Sequence, residues 1–189
     1  MKKMLDYCIE QLKKKNIIFE QGLSQHETIL VETKFGICFP PDLKSFLQMA
    51  LPVSKPFVNW RAGLNGVDEE KEIVSRIQWP WDGLMFDLEH DGYWNESWGV
   101  KPDTFEQKIE VAKKQFNNYP KLVPIYAHRY IPSRPCELGN PVFSVYQMDI
   151  IYYGVNLVDY FSNEFHLYMP PSIVVPEKPK RIEFWSDCA

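Results

Sequence analysis

Trp79-Pro80-Trp81-Asp82-Gly83-Leu84-Met85-Phe86-Asp87-Leu88-Glu89-His90-Asp91-Gly92-Tyr93-Trp94-Asn95-Glu96-Ser97-Trp98 holds four of the chain's six tryptophans and five carboxylates. No lysine or arginine occurs from Ile77 to Val100. Tryptophan is costly to leave in water, and an unpaired carboxylate is costly to bury. A segment rich in both is expected partly in the core and partly on an acidic surface with aromatic edges, the setting of a binding site for a protein or a small polar ligand. Pro80 reads as the end of a Glu-rich helix over 68–79, with strand character starting at Leu84. A strand over 84–89 running into a turn at Asp91-Gly92 places Phe86, Leu88 and His90 on one face and Met85, Asp87 and Glu89 on the other.

Upstream of this stretch the pattern is helical. Met1, Leu5, Cys8, Ile9 and Leu12 share one stripe of a helix over 2–15. Ser24 with Glu27 forms a capping box for a second helix, which Gly36 closes as a left-handed cap. Pro40-Pro41 opens a third, with Leu43, Phe46, Leu47, Ala50 and Leu51 at helical spacing and Pro52 at its end. Downstream, Asp103 with Glu106 caps a helix that buries Phe105, Ile109, Ala112 and Phe116. Strands then follow at Leu122–Ala127, Val142–Tyr146 and Asp149–Tyr153, the last two close enough to form a hairpin. A short helix turns Leu157, Tyr160, Phe161 and Phe165 inward. Residues 170–179 carry four prolines and read as an extended connector, while Ile182, Phe184 and Trp185 are too apolar for a free end.

Helices first and strands later imply an α+β fold, a central, mostly antiparallel sheet with flanking helices, rather than alternating βαβ units. The 189 residues fit a single domain over 1–189, with N-terminal helices over 1–52, a sheet-forming region over 82–165 and a docked tail over 166–189.

Net charge is −4 with the basic residues scattered, which argues against a nucleic-acid partner. No apolar run approaches a bilayer span, and Asp6 and Glu10 interrupt any signal-peptide core, so no membrane partner and a cytoplasmic location are expected. Cys8, Cys38, Cys136 and Cys188 show no zinc-type spacing and read as reduced thiols.

Chemical motifs are few. Asp87 to Gly92 opens like a calcium loop, but position 12 is Trp98, which offers no oxygen. His26-Glu27 begins a zinc-binding HExxH, but the fifth residue is Leu30. No nucleophile elbow, phosphate loop or dinucleotide fingerprint is present, and neither a catalytic set, a metal nor a cofactor is expected. On a strand, Asp87 and Glu89 would stand about 7 Å apart, within the range of a glycosidase pair, with tryptophans near for sugar stacking. His128-Arg129 follows a strand and offers an acid/base or anion contact. Trp60-Arg61 suggests a cation–π or capping contact.

Gly22-Leu23-Ser24, Gly36-Ile37-Cys38-Phe39-Pro40-Pro41-Asp42-Leu43, Ala50-Leu51-Pro52-Val53 and Phe57-Val58-Asn59-Trp60-Arg61 together resemble the N-terminal signature of the SUKH superfamily. Trp79-Pro80-Trp81, Phe86 to His90, Gly139 to Gln147 and Asp149 to Gly154 extend the resemblance over nearly the whole chain. That superfamily takes in bacterial toxin-immunity proteins, the Syd protein and the fungal SMI/KNR cell-wall regulators. The resemblance implies a mostly antiparallel sheet with helices around it, no established catalytic residues, and a role in binding a cognate toxin or a regulatory partner. The expected contact residues are Asp87, Glu89, His90, Asp91, Tyr93, Trp94, Glu96, His128 and Arg129. A sugar-binding or glycoside-acting protein using Asp87 and Glu89, or a general regulatory scaffold, are the alternatives.

Overall fold

The computed structural model describes residues 2–189; Met1, expected on the first apolar stripe, lies outside them. α1 (Lys2–Lys14) buries Leu5, Cys8, Ile9 and Leu12, the expected stripe. β1 (Phe19–Gln21) follows, then α2 (Gln25–Phe35). The Ser24 hydroxyl accepts from the Glu27 N–H and the Glu27 carboxylate accepts from the Ser24 N–H, so the capping box is formed. Gly36 sits at φ 59°, and the Ile37 N–H donates back to the Glu32 carbonyl at 3.1 Å. The Glu32 carbonyl thus accepts from both Gly36 and Ile37 as the chain leaves the helix.

α3 (Pro41–Met49) starts on the expected proline and buries Leu43, Phe46 and Leu47. It stops at Met49, short of Pro52. Ala50-Leu51-Pro52 forms β2, antiparallel to β1 with Leu51 opposite Glu20. The residue before a proline is crowded out of the helical region, and the pairing with β1 uses the extended backbone that results.

α4 (Trp60–Asn65) is capped by the Asn59 side chain and leads into α5 (Val67–His90). The expected helix end at Pro80 and the strand over 84–89 are both replaced by this one helix, roughly 36 Å long at the usual rise. Proline inside a helix removes an N–H and so deprives the carbonyl four residues back of its donor. That carbonyl belongs to Arg76, and the Tyr130 hydroxyl donates to it at 2.9 Å. A side chain from the sheet thus supplies the bond that Pro80 withholds. Beyond Pro80, Gly83 lets the helix press on the sheet: a Cβ there would lie 2.7 Å from the Gln147 Cα.

Residues 91–104 form a loop with one 3-10 turn at Glu96–Trp98. α6 (Phe105–Phe116) is capped by Thr104, whose hydroxyl accepts from the Gln107 N–H, one residue beyond the expected Asp103–Glu106 box. Ala112 is fully buried, and Phe105 and Phe116 are half-buried.

The main sheet is an antiparallel meander in the order β3 (Leu122–Tyr126), β4 (Arg129–Pro132), β5 (Val142–Tyr146) and β6 (Asp149–Gly154). The expected β5–β6 hairpin is present, with Tyr146 opposite Asp149 and Gln147 at φ 55° in its two-residue turn. β4, where only a segment following a strand is expected, pairs Tyr130 with both Pro124 and Phe143. The sheet therefore spans 122–154 rather than 82–165. Beyond the edge of β3, Val58 and Ala127 exchange backbone bonds with Ile125 and Pro56, so part of that edge is covered.

Both faces of the sheet are buried. Val123, Ile125, Ile131 and Val142 join a core built with α1–α4 and α7 (Leu157–Phe165). Leu122, Tyr130, Phe143, Val145 and Ile150 join a second core with the end of α5, α6 and the C-terminal segment. The connector over 170–179 is irregular, and Ile182, Phe184 and Trp185 dock as expected. Trp185 opens α8 (Trp185–Cys188), and its indole N–H donates to the Pro120 carbonyl at 2.7 Å. The arrangement is α+β, with helices against both faces of a central antiparallel sheet.

Candidate functional site

Helical geometry redistributes the acidic residues of the opening stretch. Two residues apart on a strand share a face; on a helix they are about 200° apart. Asp87 accordingly points inward, 7% exposed, while Glu89 points to solvent. The Asp87 carboxylate accepts from the Met148 N–H at 2.8 Å and so fastens the β5–β6 turn to α5. Burial raises its pKa, with the Met148 N–H opposing and the nearby Asp91 adding to the rise. Asp87 is therefore an internal clamp rather than a surface contact. The glycosidase pair loses the shared face on which it rested.

The helix also creates an exposed face that the strand reading could not show. Trp79, Asp82, Phe86, Glu89 and His90 recur at intervals of three, four, three and one, which places them on one side of α5. All five are exposed, Trp79 at 42% and Phe86 at 45%. Phe86 stacks on His90 with ring centroids 4.3 Å apart, and His90 Nδ1 lies 3.0 Å from the Phe86 carbonyl. Asp91 and Glu96, also exposed, continue the acidic character past the helix end. The periodicity 79–82–86–89 was present in the sequence, but Pro80 masked it as a helical signal.

Tyr93 and Trp94 are half-buried and belong more to packing than to the surface. The Tyr93 hydroxyl lies 3.8 Å from the Cys188 sulfur, and burial pushes its pKa up. Trp94 packs edge-on to Trp98 and donates to the Gly99 carbonyl at 2.9 Å. Trp98, 8% exposed, donates to the Tyr119 hydroxyl and stacks on Phe184. The loop after α5 is thereby tied to the C-terminal segment.

His128 and Arg129 diverge. Arg129 is buried, bonds Glu164 and Ser144 at 2.8 Å each, and lies 3.7 Å above the Tyr153 ring. Buried at 8% exposure and already paired with Glu164, it is not presented to an anion at the surface as expected. His128 sits in the β3–β4 turn and is half-buried, its pKa lowered first by burial and then by Arg129. It borders a recess of about 420 Å³ between α5 and the sheet, with Arg76, Trp79, Tyr130 and Tyr146 among the walls. This recess, which the sequence did not reveal, adjoins the exposed face of α5 through Trp79. Arg61, expected in an aromatic or capping contact, instead bonds Glu27 at 2.6 Å, Glu20 at 3.1 Å and the Gly22 carbonyl at 3.1 Å.

Among the described residues no group of three His, Cys, Asp or Glu side chains is placed to hold a metal ion, and no helix is long and apolar enough to cross a membrane. Comparisons with protein-family models, curated proteins and solved structures return no match.

Proposed function

We propose that the chain is a non-enzymatic protein-binding domain of the immunity type, which docks on a basic surface of a cognate toxin and blocks it. The observation that carries this reading is the face of α5 where exposed Trp79 and Phe86 alternate with Asp82 and Glu89. Exposed aromatics supply the apolar area that dominates binding energy, and flanking carboxylates steer a basic partner and raise the association rate. No lysine or arginine lies from Ile77 to Val100, and Lys101 donates to the Gly92 carbonyl at 2.7 Å, so the acidic field is carried by the α5 face rather than by the loop that follows. The resemblance to the SUKH superfamily supports an immunity role, and His90, Asp91 and Glu96 extend the contact surface around the helix end.

The test is capture of the partner from native extract on immobilised protein, followed by an activity assay of the captured protein. The reading expects a basic toxin domain that the chain inhibits at one-to-one stoichiometry, with capture lost in the Trp79→Ala/Phe86→Ala variant. A captured protein held equally by that variant, or bound without loss of its activity, contradicts it.

A further inference from the structure

Cys38 and Cys136 stand 98 positions apart in sequence, yet their sulfurs are 3.0 Å apart. Cys38 lies in the connection from α2 to α3, and Cys136 in the loop from β4 to β5. The two segments are already held together. The buried Asp42 carboxylate at the start of α3 accepts from the Gly139 N–H at 3.0 Å. Lys180 donates to the Leu138 carbonyl at 2.6 Å and pairs with Glu137 at 3.0 Å. Both sulfurs also approach the Phe39 carbonyl, at 3.8 and 3.9 Å. With the thiols in contact and the β4–β5 loop tied to the start of α3 through Asp42, a covalent link needs the sulfurs to close by only about 1 Å.

We propose that Cys38 and Cys136 are the site of a reversible intramolecular disulfide, formed when the chain meets an oxidised low-molecular-weight thiol such as glutathione disulfide. Cys136 is exposed and Cys38 is half-buried, which sets the order of events. The Cys136 thiolate attacks one sulfur of glutathione disulfide; the glutathione disulfide bond breaks, a mixed disulfide forms and one glutathione leaves as its thiol. The Cys38 sulfur then attacks the Cys136 sulfur, its proton passes to solvent, and the second glutathione leaves. Two protein thiols are oxidised to one disulfide, and one glutathione disulfide is reduced to two thiols. Burial first, and then the neighbouring Cys136, push the Cys38 thiol up to about 11 in the reduced chain, which agrees with Cys136 making the first attack. Cys8, fully buried with its thiol pushed up to about 12, stays out of this exchange. The product staples the α2–α3 corner to the β4–β5 loop and closes a long loop of the unfolded chain, which raises the melting temperature.

The experiment equilibrates the full chain with glutathione buffers of increasing oxidised fraction and reads accessible thiols in denaturant, intact mass, cross-linked peptides and Tm. The proposal expects the four thiols to fall to two, with loss of two hydrogens in mass and a Cys38–Cys136 peptide. It also expects a Tm rise of about 5 °C or more over the reduced chain. Cys8→Ser/Cys188→Ser keeps the link, whereas Cys38→Ser stops at a glutathione adduct on Cys136. Four thiols persisting in fully oxidised buffer, a stable adduct on the unmutated chain, or a link that survives in Cys38→Ser each overturn the proposal.

Discussion

Asp87 shows how a single carboxylate changes meaning with its backbone. On a strand it would join Glu89 at the surface; on α5 it accepts the Met148 N–H inside the molecule. Replacing it with alanine leaves a buried donor without a partner, which costs about 1–3 kcal/mol in denaturant unfolding. Asp87→Asn keeps an acceptor oxygen and removes a charge whose burial raises the pKa, so its cost is expected below about 1 kcal/mol at neutral pH. Glu27 offers the opposite case. Arg61 chiefly, together with the Ser24 N–H, lowers its pKa to about 2, well below the ordinary glutamate value of 4.5. A carboxylate whose folded pKa is depressed contributes stability that is complete above its unfolded value and is lost as pH falls through the folded one. The Glu27 contribution therefore fades between about pH 4.5 and pH 2. Acid titration of unfolding free energy should show a shallower fall over that window in Glu27→Gln than in the unmutated chain. Equal slopes would place the acid sensitivity elsewhere.

Among elements, α5 was the least legible from sequence and matters most to the site. Its first half is legible from the Glu-rich run over 68–79, as are α1, the capped α2, and the strands β3, β5 and β6. Its second half was hidden because Pro80 reads locally as a stop. What permits the helix to continue is Tyr130, 54 positions away, whose hydroxyl satisfies the Arg76 carbonyl. No window of sequence contains both partners of that bond. β1 and β2 were obscured for a related reason: three-residue strands carry too little alternation to stand out, and Ala50 and Leu51 also fit the periodicity of α3. The candidate site inherits these limits. Its exposed residues Glu89, His90, Asp91 and Glu96 were found, whereas Trp79, Asp82 and Phe86 come together only on the continuous helix. The Tyr130 bond has a direct consequence. Tyr130→Phe should cost about 1–2 kcal/mol by denaturant unfolding, since it orphans a carbonyl within the fold. In a Pro80→Ala background the restored N–H takes over as donor, and the same change should cost less than half as much. Equal costs in the two backgrounds would detach Tyr130 from the continuity of α5.

Across the whole molecule, the two cores on opposite faces of the sheet assign different work to the two ends of the chain. The N-terminal helices and α7 enclose one face, and the other is closed by α5, α6 and the docked C-terminal segment. Aromatic stacking of Trp98 on Phe184, and of Phe184 on Tyr119, ties the loop after α5 to that segment. The outer side of α5 is thus a surface mounted on a fixed base, with its aromatics held in place. Preorganisation of this kind reduces the ordering cost of association. The measurement that bears most directly on this account is the affinity of the captured partner for two variants as a function of salt. Asp82→Asn/Glu89→Gln removes exposed charge and should weaken binding several-fold at low salt while flattening its salt dependence. Asp87→Asn, altered only inside the fold, should bind as the unmutated chain does. Loss of binding in Asp87→Asn with no effect of the exposed pair would contradict the assignment of the α5 face as the recognition surface.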